Sequence, residues 1–215
     1  MDKNLYLELV DHYERCFEKF GATPKGVDWP NEHDLNVRFQ VMLDICHHAL
    51  KKTEPVSILD LGCGYGALYD FILKNDLANK IQYHGVDLSE KMIISAKNRH
   101  PSIQFEVRDI LIDRLDPAQF DFVLMNGLLT ERTTLSQHDM EEFSHTIIKE
   151  AYELSKNGIA YNVMSDHVDW KREDLFYVSF DRMADFLKQQ CSKHYTFRSD
   201  YGLYEYIVYV YKQKK

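Results

Sequence analysis

A glycine-rich loop contains the residue types that most clearly suggest ligand chemistry in this chain. The stretch LDLGCGYG runs from Leu59 to Gly66, after a short apolar segment and before a helical pattern. Its three glycines permit a tight turn and let a ligand approach the backbone, because they carry no Cβ atom. The first turn of the following helix offers free N–H groups. In doubly wound α/β folds, ligands bind at such loops, beside the carboxyl ends of the strands.

Asp87 ends the next strand-like segment, YHGVDL, and is the second candidate for ligand binding. A carboxylate at this position could accept hydrogen bonds from the hydroxyls of a ribose. The glycine loop also satisfies G-x-G-x-x-G/A, the fingerprint of nicotinamide and flavin dinucleotide sites. The glycines alone therefore leave open which cofactor class binds, and a tight turn without a ligand is the remaining interpretation.

Strand-like and helical segments alternate from Val56 onward, and these elements must position the loop and the acid. Such alternation predicts a parallel sheet with helices on both faces. Two alternating aromatic runs around Gly202 predict a C-terminal hairpin, whose strands must be antiparallel neighbours. We therefore predict a doubly wound α/β fold with a seven-stranded sheet and an antiparallel C-terminal strand. This domain is expected to occupy residues 53–215.

The first 52 residues are predicted to form a separate helical cap, because apolar residues recur there at helical spacing. Two helices are expected, the second reaching Leu50, and Pro24 and Pro30 forbid a continuous helix between them. A later long helix is expected to start at Ser136 and to stop just before Gly158, since glycine is a common C-terminal stop.

Several motifs in order connect the segment from Val56 to Lys212 with a known family. Leu59–Gly66 resembles motif I of the class I S-adenosylmethionine-dependent methyltransferases, with an acid before the first glycine. Asp87, Asp109 and the pair Asn126-Gly127 match later motifs of that family, and the hairpin matches its terminal antiparallel strand. The segments FGATPKGVDW and DYGLYEYIVYVYK are similar to a bacterial small-molecule-type subgroup.

The resemblance implies a Rossmann-like fold, S-adenosylmethionine as the cofactor and transfer of its methyl group. Asp87 would bind the ribose, and Asp109 would accept from the adenine amine. Asp60 is expected to orient the glycine loop through backbone N–H groups. The cofactor-binding residues expected in total are Asp60, Gly62, Gly64, Gly66, Asp87, Leu88, Asp109, Ile110 and Asn126.

Both tryptophans of the chain, Trp29 and Trp170, follow the dipeptide Val-Asp. The second follows a predicted strand, at the edge where ligands bind, and the first lies in the predicted cap. We predict that the two loops wall one substrate chamber, with Arg38 binding a carboxylate or pairing with Asp28. The alternative is that two unrelated loops each anchor a tryptophan in the core.

Three residues are candidates for the chemical step: His167, Asn126 and Tyr201. His167 could act as a general base on an acceptor hydroxyl or amine. Tyr201 flanks the hairpin turn and could face the substrate. The segment SDHVD could also ligate a cation through Asp166, His167 and Asp169, or simply cap neighbouring backbone groups. We predict no metal site.

Composition restricts the partners that the chain is expected to have. The net charge is −8, which disfavours nucleic-acid binding, and no apolar run reaches the ~20 residues that a membrane span needs. The four widely spaced cysteines suggest a reducing cytoplasm. We predict a monomeric or homodimeric cytoplasmic methyltransferase with a small-molecule acceptor. The alternatives are an NAD(P)-dependent oxidoreductase and a non-catalytic nucleotide-binding protein.

Overall fold

The computed structural model describes residues 3–213. Two helices, α1 (Lys3–Phe20) and α2 (Glu32–Leu43), precede the sheet. The Asn31 side chain caps α2 by accepting from the Asp34 N–H, which satisfies a donor left free at the helix start. A single 3-10 turn, Pro24–Val27, lies in the loop between the helices, where the prolines exclude a longer helix.

The remaining elements alternate between strands and helices along the chain. The strands are β1 Val56–Leu61, β2 Ile81–Asp87, β3 Gln104–Val107, β4 Phe120–Met125, β5 Ser155–Ser165, β6 Tyr177–Val178, β7 Tyr195–Arg198 and β8 Glu205–Tyr211. The helices are α3 Ala67–Lys74, α4 Glu90–Arg99, α5 Gln137–Leu154 and α6 Phe180–Gln190.

Seven strands form one sheet in the order β3-β2-β1-β4-β5-β8-β7, and the two-residue β6 pairs with the end of β5. The pairs among β1 to β5 are parallel, whereas β8 is antiparallel to both of its neighbours. The strand order reverses at β1, where β2 lies on one side and β4 on the other. The predicted doubly wound α/β fold with an antiparallel C-terminal strand is confirmed.

Two helix ends differ from the expected ones. The segment SKNG belongs to β5 and does not extend α5, because Ser155 already pairs with Phe120 of β4, ahead of a register shift. Gly158 is a strand residue, and a Cβ atom there would lie 2.3 Å from the Val210 carbonyl oxygen. Helix α2 ends at Leu43, where the Tyr209 hydroxyl donates to the Val41 carbonyl and short 3-10 turns follow.

The sheet separates two apolar cores, and the N-terminal helices contribute to different ones. Alternate strand residues point to opposite faces, so that Leu59 and Ile58 of β1 lie in different cores. Tyr6 of α1 belongs to the first core, together with α5. Phe39 of α2 belongs to the second, together with α3. The division into a cap of residues 1–52 and a domain of residues 53–215 stays a prediction.

Candidate active site

A cavity of about 120 Å³ lies at the carboxyl edge of the sheet, beneath α1. Its floor is formed by the loops that follow β1, β2, β3 and β4, and its roof contains Tyr6 and Tyr13 of α1. Seven of the nine residues predicted to bind a cofactor line this cavity: Gly62, Gly64, Asp87, Leu88, Asp109, Ile110 and Asn126.

The glycine loop is shaped by backbone conformations that favour glycine. Gly62, Gly64 and Gly66 have φ angles of 80°, 54° and 84°. The N–H of Gly62 donates to the Val86 carbonyl, which ties the loop to β2. A Cβ atom on Gly64 would lie 3.3 Å from the Val27 side chain, so glycine also leaves room for the loop above it. The left-handed turns therefore bring the backbone to the cavity surface.

The Asp87 carboxylate organises the loop at the end of β2. Its Oδ2 accepts from the Gly64 N–H at 2.8 Å, and its Oδ1 accepts from the Ser89 N–H at 2.8 Å. Burial raises the pKa of Asp87, and the backbone donors oppose this shift. A carboxylate has about four lone-pair positions, so two donors leave capacity for further hydroxyl groups.

Asp60 and Gly66 support the loop from below and do not line the cavity. The Tyr83 hydroxyl donates to Asp60 Oδ2 at 2.6 Å, and Asp60 is 3% exposed. Burial raises the pKa of Asp60 to about 7, although the bond from Tyr83 lowers it. The Gly64 N–H donates to Asp87 and not to Asp60, and a role of Asp60 in orienting the glycine loop through backbone N–H groups stays a prediction. Gly66 packs against Phe105.

Helix α1 places two tyrosines in the cavity lining, and each donates a hydrogen bond to a loop of the cavity floor. The Tyr6 hydroxyl donates to Asp109 Oδ2 at 2.6 Å, and its ring stacks on Phe143 at 5.5 Å. About two helical turns further along α1, the Tyr13 hydroxyl donates to the Gly127 carbonyl at 3.0 Å. The helix is thus hydrogen-bonded to the loops that follow β3 and β4.

The loop after β4 presents Asn126 to the cavity. Within the described residues, Asn126 Oδ1 is buried and has no hydrogen-bond partner. The next residue, Gly127, is held firmly, because its N–H donates to Asn162 Oδ1 at 2.8 Å and its carbonyl accepts from Thr130. An unsatisfied buried oxygen on a fixed loop is a polar group available to a ligand.

Trp29 closes the cavity beside this loop. A Cβ atom on Gly127 would lie 2.8 Å from the Trp29 ring, so glycine permits the contact. The Arg38 guanidinium lies over the same ring, 3.8 Å from its centroid. Arg38 itself does not line the cavity, and therefore supports the indole from outside.

Glu205 of β8 is the partner of Arg38. The Arg38 Nε–H lies 2.9 Å and 3.0 Å from the two carboxylate oxygens, and the Tyr201 hydroxyl donates to Oε1 at 3.4 Å. Arg38 is 6% exposed and Glu205 is 1% exposed. Burial raises the pKa of Glu205, and Arg38 lowers it. The expected pair of Arg38 with Asp28 does not form, because Asp28 lies against His12 at 3.0 Å.

The second Val-Asp-Trp loop lies outside the cavity. Trp170 is 69% exposed, so it neither walls a chamber nor anchors a core. The His167 ring stacks on Phe180 at 5.5 Å, and its side chain is 73% exposed. The predicted chamber with two tryptophans is therefore corrected to a cavity with Trp29 alone.

Comparisons with known proteins agree with this geometry. Residues 58–158 match the family described as methyltransferase domain. A Mycobacterium tuberculosis protein named as a methyltransferase, Rv1506c, is 32% identical over 167 residues, which cover 74% of this chain and 95% of that protein. The chain belongs to the class I S-adenosylmethionine-dependent methyltransferases.

Solved methyltransferase structures share the fold at low sequence identity. The magnesium protoporphyrin IX methyltransferase of Synechocystis, solved with bound S-adenosylhomocysteine, has a TM-score of 0.61 at 15% identity, covering 97% of this chain and 96% of that one. A Leishmania major S-adenosylmethionine-dependent methyltransferase has a TM-score of 0.66 at 18% identity, covering 97% and 83%.

Membership of this family answers the question that the glycine loop left open. The cofactor of this methyltransferase is S-adenosylmethionine, and the nicotinamide and non-catalytic alternatives receive no support from the comparisons. The residues that line the cavity fit this group, because Gly64 is among them and Asn126 Oδ1 has no hydrogen-bond partner in the described part of the chain. Among the described helices, none is both long and apolar enough to cross a membrane.

Four residues that shape the site were not predicted as site residues from the sequence: Tyr6, Tyr13, Asn162 and Glu205. Tyr6 and Tyr13 lie seven positions apart, on one face of α1, and that spacing is the signal that could have found them. Glu205 is the acid within a strand whose seven residues are all buried. A carboxylate in such a strand needs a buried partner, which could have suggested a buried cation elsewhere in the chain.

Proposed function

We propose that this methyltransferase transfers the methyl group of S-adenosylmethionine to a small-molecule acceptor enclosed beneath α1. The observation that supports this proposal is the cavity itself, which α1 roofs and the predicted cofactor residues line. A cavity roofed by a helix suits a small acceptor better than a folded protein or a nucleic acid. The net charge of −8 also disfavours a nucleic-acid acceptor.

The cofactor roles follow from where each group lies. Asp109 would accept from the adenine amine, between the apolar side chains of Ile110 and Leu111. Asp87 would accept from the ribose hydroxyls, since two backbone donors already fix its orientation. The Gly62 and Gly64 backbone would contact the methionine part. Of the predicted catalytic residues, we retain Asn126 beside the methyl group and assign no role to His167.

Positioning is the main contribution that the protein makes to the reaction. S-adenosylmethionine supplies a methyl group that is already activated by the sulfonium charge. Among the described residues that line the cavity there is no histidine, lysine or cysteine, and its two carboxylates, Asp87 and Asp109, are assigned to the cofactor. Aligning an acceptor with the methyl group can contribute roughly 7–11 kcal/mol through proximity and orientation. We therefore infer that the acceptor reacts without a histidine base.

The acceptor side is assigned to the region around Asn126 and Trp29. The indole offers an apolar wall, and its face is already engaged by Arg38 on the side away from the cavity lining. Tyr201 contributes indirectly, through its bond to Glu205. The Synechocystis neighbour is named for a porphyrin substrate, which is a small molecule, and this precedent within the fold supports the proposal.

An experiment with isotope-labelled S-adenosylmethionine tests the acceptor class. The protein is incubated with a bacterial extract that has been separated by ultrafiltration into small-molecule and macromolecular fractions. We expect the labelled methyl group to enter the small-molecule fraction. The Asp87→Asn variant should lose this transfer, whereas the variant of an exposed acid, Asp185→Asn, should keep it. Label that enters only the macromolecular fraction would overturn the proposal.

Cofactor binding is measured separately, so that a missing acceptor is not mistaken for a missing cofactor site. A ligand at ~100 times its dissociation constant stabilises the folded state by ~2.7 kcal/mol, which gives a clear rise in the unfolding temperature. We expect this rise with S-adenosylmethionine and S-adenosylhomocysteine, and no rise with NADH or NADPH. Loss of one charge-assisted hydrogen bond, of ~1.5–3 kcal/mol, should weaken cofactor binding of Asp87→Asn by roughly 10–100-fold.

A further inference from the structure

Three potential metal ligands converge on the outer side of the roof helix. His12 and Cys16 lie one turn apart on α1, and Asp28 reaches them from the Val-Asp-Trp loop. The His12 Nε2 lies 3.0 Å from Asp28 Oδ2 and 3.9 Å from Cys16 Sγ. Within residues 3–213, this is the one group of three histidine, cysteine or acidic side chains whose ligand atoms all lie within 4.8 Å.

These distances match the edges of a tetrahedral zinc site. With Zn–N and Zn–O near 2.0–2.1 Å and Zn–S near 2.3 Å, tetrahedral geometry places nitrogen about 3.6 Å from sulfur and about 3.3 Å from oxygen. The observed separations of 3.9 Å and 3.0 Å differ from these by only a few tenths of an ångström. The third pair, Cys16 Sγ and an Asp28 carboxylate oxygen, lies within 4.8 Å, so rotations of these side chains would place the three atoms around one ion.

We propose that His12, Cys16 and Asp28 bind a zinc-class divalent cation. The ion would link α1 to the first Val-Asp-Trp loop, which contains Asp28 and Trp29. Nitrogen, thiolate sulfur and carboxylate oxygen are the donors that zinc takes in proteins. The half-exposed His12 and Cys16, together with the exposed Asp28, leave a path for the ion to enter. Neither His12 nor Asp28 lines the cavity, so the site is structural and the ion does not reach the methyl group.

The charges around the group favour a cation. Glu131 is 8% exposed, and the described residues give its carboxylate no hydrogen bond. A divalent cation would offset the negative charge of Asp28 and of the buried Glu131 carboxylate, with water or Glu131 as its fourth ligand.

The binding step balances in protons as well as in charge. Ionised Asp28 coordinates directly, whereas His12, when it is protonated in its pair with Asp28, and the Cys16 thiol must each release a proton to solvent first. An ion at this site would also affect the cavity wall. Tyr13 and Trp29, which line the cavity, are adjacent in sequence to two of the ligands, so an ion would hold the roof and the indole wall together.

The test uses Co²⁺ as a spectroscopic probe on the full chain, after removal of metals by a chelator and in a non-thiol reductant. We expect one equivalent of Co²⁺ to give tetrahedral d–d bands and a sulfur-to-cobalt charge-transfer band. Cys16→Ser should abolish the charge-transfer band, and it should weaken binding by more than about 100-fold, because removing even an outer-shell partner costs about 10–100-fold. Cys191→Ser, at another partly buried cysteine, is the matched control and should bind like the parent protein.

Folding of the variants is checked independently of the metal. Circular dichroism and the thermal shift with S-adenosylhomocysteine must be unchanged before the cobalt spectra are compared. His12→Gln provides a second ligand variant, with His138→Gln as its exposed control. A parent protein without tetrahedral bands would overturn the proposal, and so would a charge-transfer band that persists in Cys16→Ser. In either case His12 and Asp28 form only an ion pair.

Discussion

The hydroxyl of Tyr6 lies 2.6 Å from Asp109 Oδ2, which joins the roof helix to the acid assigned to the adenine amine. The cavity beneath has a volume of about 120 Å³. Ligand sites in proteins usually measure about 300–1,000 Å³, so the closed arrangement is too small for S-adenosylmethionine. We infer that α1 moves when the cofactor enters, and that the bond from Tyr6 to Asp109 opposes this movement.

Replacing Tyr6 with Phe is expected to strengthen cofactor binding. The substitution removes a hydrogen bond to a charged group, of ~1.5–3 kcal/mol, that must otherwise break before the cofactor binds. S-adenosylmethionine should therefore bind about tenfold more tightly and associate faster, as measured by calorimetry and stopped-flow mixing. Tyr204→Phe, at an exposed tyrosine, should change neither quantity. Weaker binding by Tyr6→Phe would show that Tyr6 stays on Asp109 in the complex.

The two tryptophans are expected to report cofactor binding very differently. In Trp170→Phe the remaining indole is Trp29, which lines the cavity, so its fluorescence should change when S-adenosylhomocysteine binds. In Trp29→Phe the remaining indole is Trp170, which is 69% exposed and should give no response. A fluorescence titration of both variants decides this. A fluorescence response from Trp170 would show that the second Val-Asp-Trp loop lies close to the bound ligand.

Breaking the buried pair of Arg38 and Glu205 is expected to destabilise the fold strongly. Glu205→Gln leaves the guanidinium buried without its counter-charge, and such changes cost about 3–5 kcal/mol. The double variant Arg38→Met/Glu205→Gln should lose less than the sum of the two single variants, since no unpaired charge remains. Urea unfolding gives the free energies. Arg182→Met, in a surface pair with Glu141, is the control and should cost at most about 1 kcal/mol.

Asp60 is expected to make stability decline as the pH rises toward neutrality. Its pKa is raised from 3.8 to about 7 in the folded state, mainly by burial. Between these values the folded state binds more protons than the unfolded state, so the free energy of unfolding falls with increasing pH. Asp60→Asn keeps an acceptor for Tyr83. Between about pH 4 and pH 7 its free energy of unfolding should fall by a few kcal/mol less than that of the parent protein, whereas Asp185→Asn should behave like the parent protein. Parallel stability curves for Asp60→Asn and the parent protein would contradict the assignment.

The convergence of the proposed cofactor residues on one cavity could be predicted because these residues follow the strands in a fixed order. Gly62, Asp87, Asp109 and Asn126 each lie at the carboxyl end of a strand, so that recognising the strands was enough to bring them together. The acceptor side could not be predicted in the same way. Arg38 meets Glu205 across 167 positions, and no local pattern pairs them.

Local sequence patterns also gave wrong ends for helices and strands where tertiary contacts decide those ends. Gly158 resembles a helix stop, but pairing of Ser155 with β4 begins the strand earlier. His167 and Trp170 follow β5 as expected, yet the loop carries both side chains into solvent. The acceptor class, the cytoplasmic location and the monomeric or homodimeric state stay predictions.

The pairing of Arg38 with Glu205 constrains how the protein is made. The ribosome adds Arg38 167 positions before Glu205, and at ~5–20 residues per second this interval lasts roughly 8–33 s. Until β8 has emerged, the α2 helix has no counter-ion for its buried guanidinium, and burying that charge alone is unfavourable. The nascent chain therefore cannot complete the Trp29 wall early. The Trp29 side of the cavity matures only after Glu205 has been synthesised.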